Sequence, residues 1–173
     1  MAELARIFIY LAFLRRGPQD LPASVFLLVM LNLVTLALYG IAASALELDL
    51  GKLIGSAAVM MALTMLLTGA MLSLASRPHR FVQTAIAIAG AELVLMPIAC
   101  LFLALERPYR VGLDFPDWLL FAEGLFLAWE VAIIGHIYRR ALERSFFAGI
   151  LLSVACAIIV SSTVALVFPA PAA

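Results

Sequence analysis

The chain has 173 residues, of which 66% are hydrophobic and 13% charged, with eleven basic and eleven acidic side chains. Globular domains run at roughly 45–50% apolar and about 25% charged, so a mean hydropathy of +1.15 excludes an ordinary soluble core and makes lipid the expected solvent. A formal net charge of zero removes the electrostatic argument for a nucleic-acid partner and leaves the distribution of charge to be read.

The opening stretch MAELARIFIYLAFLRRGP differs from a cleaved signal peptide. Glu3 and Arg6 interrupt it, and Arg15, Arg16, Gly17 and Pro18 stand where a small-residue cleavage site would be expected. It is too short to cross a hydrocarbon core that needs about 20 residues. The reading is a retained interfacial amphipathic helix and linker over residues 1–23, with the arginine pair at the headgroups and the apolar side chains in the acyl boundary.

Five segments follow that have the length and apolarity of membrane-spanning helices: residues 24–46, 53–75, 81–105, 118–138 and 146–168. The expected fold class is therefore all-α integral membrane, with a five-helix transmembrane domain over 24–168 and a short proline-broken tail, 169–173, expected to be disordered. LELDLGK, SRPHR, ERPYRVGLDFPD and RRALERS separate the spans, all charged and several carrying Gly or Pro.

Sorting the basic residues by side gives a topology. Arg6, Arg15, Arg16, Arg77, Arg80, Arg139, Arg140 and Arg144 fall on the amino-terminal side, against Lys52, Arg107 and Arg110 on the other. The positive-inside rule places the amino terminus in the cytoplasm and, after five crossings, the carboxyl terminus outside. The basic face of Arg15, Arg16, Arg77, Arg80, Arg139, Arg140 and Arg144 is usually the topology signal alone, and is otherwise a surface for anionic lipid or a cytoplasmic partner.

Inside the spans, Glu92, Glu123 and Glu130 need an explanation, because a charge at a helix centre costs about 2.5–3.5 kcal/mol on insertion scales and seldom faces lipid. Glu92 shares a helix face with Ala85, Ala89, Met96 and Ala99, a small-residue seam that turns it toward a neighbouring helix. Glu123 and Glu130 stack seven apart beside the stripe Gly124, Ala128, Ala132 and Gly135, with Glu123 near the outer end. Counting about 1.5 Å per residue puts Glu130, Glu92, Asn32 and Ser153 at similar depth, with Thr35 and Tyr39 extending the polar face of the first span. The expected cluster is Asn32, Thr35, Glu92, Glu130 and Ser153. It reads either as interhelical glue, with neutral carboxyls hydrogen-bonded to Asn32, Thr35 or backbone carbonyls, or as a proton or ion relay. Pro97 frees a carbonyl near Leu93 and is expected to kink the third span.

Other features point to packing and anchoring. Gly51 and Gly55, continued by Ala58, Ala62 and Gly69, read as helix packing before dimerisation. Trp118, Tyr109 and Tyr138 read as interfacial anchors, Trp129 as deeper packing, and His136 as a headgroup-level histidine without a second metal ligand at i+4. Cys100 and Cys156 sit in apolar runs without zinc-ligand spacing and read as buried free thiols. HExxH, GxSxG, Walker and dinucleotide motifs are absent. The expectation is a nonenzymatic protein without cofactor or metal, embedded in the bilayer and associating with itself or other membrane subunits.

FLRRGPQDLPAS before the first span, five spans with the amino terminus inside, and the stretch WEVAIIGHIYRRALERSFFAGILLSVA together resemble the Yip-domain family of small membrane proteins. Trp129, the turn from Arg139 to Ser145, and Ala148 carry the likeness in the last two spans. The Asp-Leu-Tyr-Gly-Pro type motif of eukaryotic members is absent, and Gly17-Pro18 with Asp20-Leu21 stands in its place. The resemblance implies a polytopic protein of no known chemistry, of the bacterial inner-membrane branch. Eukaryotic relatives are associated with Rab-type GTPases and vesicle traffic. The sequence thus leaves two functions open: an organising component of a membrane complex, or a small channel or transporter subunit using midplane carboxylates.

Overall fold

The computed structural model describes residues 2–111 and 114–169. Among these, six α-helices are joined by short turns, with no strand: α1 (Ala2–Ala12), α2 (Val25–Ala45), α3 (Leu50–Leu74), α4 (Phe81–Glu106), α5 (Asp117–Leu142) and α6 (Phe146–Val167). The last five are long and apolar enough to cross a membrane. At about 1.5 Å per residue the shortest spans ~32 Å, against a hydrocarbon core of about 30 Å. The tail from residue 170 and the Arg110 side chain lie outside the described residues.

Local chemistry sets where the helices begin and end. Ser24, Asp49 and Ser145 cap α2, α3 and α6, their side-chain oxygens accepting from the backbone N–H of Leu27, Lys52 and Ala148 at 3.2, 2.9 and 3.2 Å. Four helices stop in the same way without glycine. Leu14, Glu47, Ser76 and Glu143 adopt left-handed φ of 61°, 54°, 58° and 53°. The N–H after each bonds back to the carbonyl of Tyr10, Ala43, Leu72 or Arg139.

The hub is α4, which contacts α1, α2, α3 and α5, while α6 packs on α5 and α3. From Thr84 to Ala91 every residue of α4 is buried, so this half-helix is enclosed on all sides. The small side chains of Ala85, Ala87, Ala89, Gly90 and Ala91 permit that enclosure. A Cβ on Gly90 would lie 2.3 Å from the Phe8 ring, which shows how closely α1 is seated. The α5–α6 crossing is tighter still, since a Cβ on Gly149 would meet the Gly135 carbonyl oxygen at 2.2 Å.

Two expectations change here. The apolar side of α1 is not given over to acyl chains: Phe8, Leu11 and Ala12 are buried in protein, while Ala5, Ile9 and, just past the helix, Phe13 are exposed. Trp129 Nε1 donates to the Ala12 carbonyl at 3.0 Å, His136 Nε2 to that of Arg16 at 3.0 Å, and Gln83 Nε2 to that of Leu21 at 2.8 Å. These bonds tie residues 12–21 to α4 and α5. The small stripe of α3 is also not one seam. Gly55 seats Phe168 and Gly69 faces Phe81, whereas Gly51, Ala58 and Ala62 are exposed. α4 runs through Pro97 without interruption, with Pro97 itself exposed.

Candidate functional site: a cavity with two carboxylates

Between α3, α4, α5 and α6 lies a cavity of about 190 Å³. Its wall includes Thr64 of α3, Glu92 of α4, Glu130 and Tyr138 of α5, and Ser153 and Cys156 of α6. Leu127 and Tyr138, eleven positions apart on α5, both line it, so it is a slot about 16 Å long parallel to the helices. Ser161 of α6 adds a further hydroxyl, and the rest of the lining is apolar, including Ile88, Val131, Ile134 and Val160.

Glu92, Glu130 and Ser153 are brought together, as the sequence led one to expect, and Glu92 lies within electrostatic range of Glu130. Asn32 and Thr35 are not part of the wall. The Asn32 amide donates to the Leu28 carbonyl at 2.7 Å and the Thr35 hydroxyl to that of Leu31 at 3.0 Å, each within α2. A polar side chain on an apolar helix finds its nearest acceptor four residues back, which satisfies it without a second helix. From α2, Tyr39 comes within electrostatic range of both carboxylates.

The glue reading required Glu92 and Glu130 to be hydrogen-bonded to neighbouring helices. Both are half-buried, both border the cavity, and neither has a hydrogen-bond partner among the described residues. Two carboxyls in an apolar wall without protein partners leave their polar valences to whatever fills the slot: water, a proton shared between them, or a cationic group.

Toward the arginine-rich end the slot is lined by a group that the sequence did not assign to it. Tyr138, expected at the interface, is 1% exposed. Its hydroxyl lies 3.0 Å from Thr68 Oγ1 and 3.8 Å from Cys156 Sγ, to which it donates. The adjacent Arg139 and Arg140 suggested a headgroup position, but α5 continues to Leu142 and turns Tyr138 inward. His136 likewise is buried, at 4% exposed. Cys156 is a buried free thiol as expected, and Cys100 is half-buried.

The remaining sequence candidates lie at the two ends. Glu123 lies within electrostatic range of Glu106, and its Oε1 is buried without a partner. Glu47 pairs with Arg107 at this same end. At the arginine-rich end, Glu143 receives Arg77 and Arg80 at 2.6 Å each, joining the α3–α4 turn to the α5–α6 turn. Arg80 also donates to the Arg140 and Ala141 carbonyls at 3.4 and 3.2 Å. The two guanidinium groups hold the Glu143 carboxyl down to about 2. Arg16 pairs with Asp20 at 3.5 Å. Arg77, Arg80 and Arg16 are thereby partly neutralised, whereas Arg15, Arg139, Arg140 and Arg144 make no ion pair among the described residues.

No three His, Cys, Asp or Glu side chains gather into a metal-binding group among the described residues. No family model, curated protein or solved structure matches the chain.

Proposed function

We propose that this protein is a nonenzymatic integral membrane protein that holds a proton or small cation between Glu92 and Glu130 and passes it along the slot between α3, α4, α5 and α6. The observation that carries this reading is the pair of carboxyls in one cavity wall without hydrogen-bond partners among the described residues. In a low-dielectric interior such carboxyls bind and release protons or pair with cations, and intramembrane acids of this kind commonly mark ion pathways. The hydrogen-bonded Tyr138–Thr68–Cys156 group, two members of which line the slot, is assigned the role of the barrier toward the arginine-rich end. The orientation proposed, from the arginine distribution, is amino terminus in the cytoplasm and carboxyl terminus outside a bacterial inner membrane. Membership of the Yip-domain family is part of the same proposal, on the residues from Trp129 to Ala148.

The test is flux. Proteoliposomes of the wild-type chain, loaded with a pH-sensitive dye and given a valinomycin-driven potential, are expected to take up protons faster than empty vesicles. Glu92→Gln and Glu130→Gln are each expected to slow uptake by about tenfold while eluting as folded protein. Wild-type vesicles as tight as empty ones to protons, Na⁺ and K⁺, or folded Gln variants with unchanged flux, would overturn the proposal. An organising role in a membrane complex is the second reading. It is favoured by Arg15, Arg140 and Arg144, which are exposed and make no ion pair among the described residues, and near-stoichiometric co-purification of another membrane subunit would support it.

A further inference from the structure

At the arginine-rich end a second cavity, of about 540 Å³, opens between the 3-10 turn Pro18–Asp20, the start of α4 and the α5–α6 turn. Its lining carries Arg80, Arg139, Arg140 and Arg144, with His79 at the rim and Glu143 as the single acid. Most of its polar groups are already committed. Glu143 is held by Arg77 and Arg80, the Gln83 amide nitrogen donates to Leu21, and the Thr84 hydroxyl donates to Arg80. Arg139 lies over the Phe146 ring at 5.9 Å, which orients its stem. Arg139, Arg140 and Arg144 therefore face one basin with no carboxylate of their own.

We propose that this basin binds a phosphate ester, the group whose ionised oxygens match several guanidinium forks at once. Like charges gathered in a concave site repel one another, and a phosphate bridging them removes that repulsion while accepting charge-assisted hydrogen bonds. The volume falls within the usual range of roughly 300–1,000 Å³ for small-ligand sites. The basin lies where α4 begins and α5 ends, the level at which bilayer headgroups meet helices of this length. A phospholipid headgroup is thus the nearer source of the phosphate, and a soluble phosphate compound the other.

The experiment uses the full chain purified in mild detergent, with phosphatidylglycerol, phosphatidylcholine and inorganic phosphate as separate probes. Retention of lipid is read by native mass spectrometry and stabilisation by thermal unfolding. Phosphatidylglycerol is expected to stay bound at about one per chain and to raise the Tm, with phosphatidylcholine retained less. The double substitution Arg140→Gln/Arg144→Gln should weaken retention by about tenfold or more. Arg15→Gln/Arg16→Gln removes the same charge from the same end outside the basin and should leave retention unchanged. If inorganic phosphate alone reproduces the Tm shift and the loss in Arg140→Gln/Arg144→Gln, the site is upheld with a soluble ligand as its source. Equal loss in both double variants, or no shift with any probe, would overturn it.

Discussion

The two halves of α4 are built on opposite terms. Toward the arginine-rich end, Thr84 to Ala91 are enclosed by protein on every side, the turns are laced by side chain to carbonyl bonds, and Glu143 clamps two loops together. From Glu92 onward the enclosure is only partial: Leu95 and Met96 stay buried, Pro97 and Leu101 are exposed, and the slot opens beside Glu92 and Glu130. The difference follows from side-chain size and pairing. Ala and Gly let helices approach until no volume remains, whereas carboxyls with no partner in the wall preserve a space. One half fixes the bundle so that the other can hold a site.

The largest effect should come from breaking the close packing where α6 crosses α5 at the arginine-rich end. Gly149→Ala drives a methyl group into the Gly135 carbonyl and should cost about 3 kcal/mol or more, or prevent folding, because backbone cannot step aside as a flexible side chain can. Gly124→Ala meets nothing within 4 Å and should be neutral or stabilising by up to about 1 kcal/mol through helix propensity. Thermal unfolding of both variants in detergent checks the contrast, and equal effects would show that close approach is not what holds this crossing. A smaller loss, of about 1 kcal/mol, is expected for Tyr138→Phe, which removes the hydroxyl shared with Thr68 and Cys156. The same variant should raise proton uptake in vesicles if that group separates the slot from the arginine-rich end, and unchanged uptake would remove Tyr138 from the barrier.

The smallest effect concerns the clamp and is best read against pH. Arg77 and Arg80 depress the Glu143 carboxyl to about 2 from an ordinary 4.5. A depressed acid stabilises the folded state above its ordinary value, and that contribution is lost as pH falls through about 2. Wild-type Tm should therefore drop between pH 5 and pH 2.5 by more than that of Glu143→Gln. The two curves should converge at the acid end. Because the pair is exposed and screened, the difference should be a few degrees at most.

Much of this was legible in the sequence. The apolar runs set five long helices to within a few residues, and of the two partners expected for Glu92 across the alanine seam, Glu130 shares a cavity wall with it and Asn32 does not. The misses have physical causes. Depth along a helix places residues at one level but says nothing of azimuth, so Asn32 and Thr35 were grouped with Glu92 although each bonds its own helix. The amphipathic pattern of α1 reports an apolar face without saying whether lipid or protein covers it, and Phe8 and Leu11 are covered by protein. Tyr138 beside two arginines carried a headgroup signal that the length of α5 overrules. Glu143 in an arginine-rich turn carried no signal, because its partners come from a loop more than sixty residues away.

The central claim is that Glu92 and Glu130 form one open, proton-exchanging site in the apolar wall. The most direct measurement is reaction of the protein in membranes with a hydrophobic carbodiimide, which modifies protonated carboxyls in apolar surroundings, followed by peptide mass spectrometry. The account predicts modification at Glu92 or Glu130, suppressed at the remaining carboxyl when either is replaced by Gln, and none at Glu143. Modification confined to Glu106 and Glu123, with both slot carboxyls untouched, would contradict it.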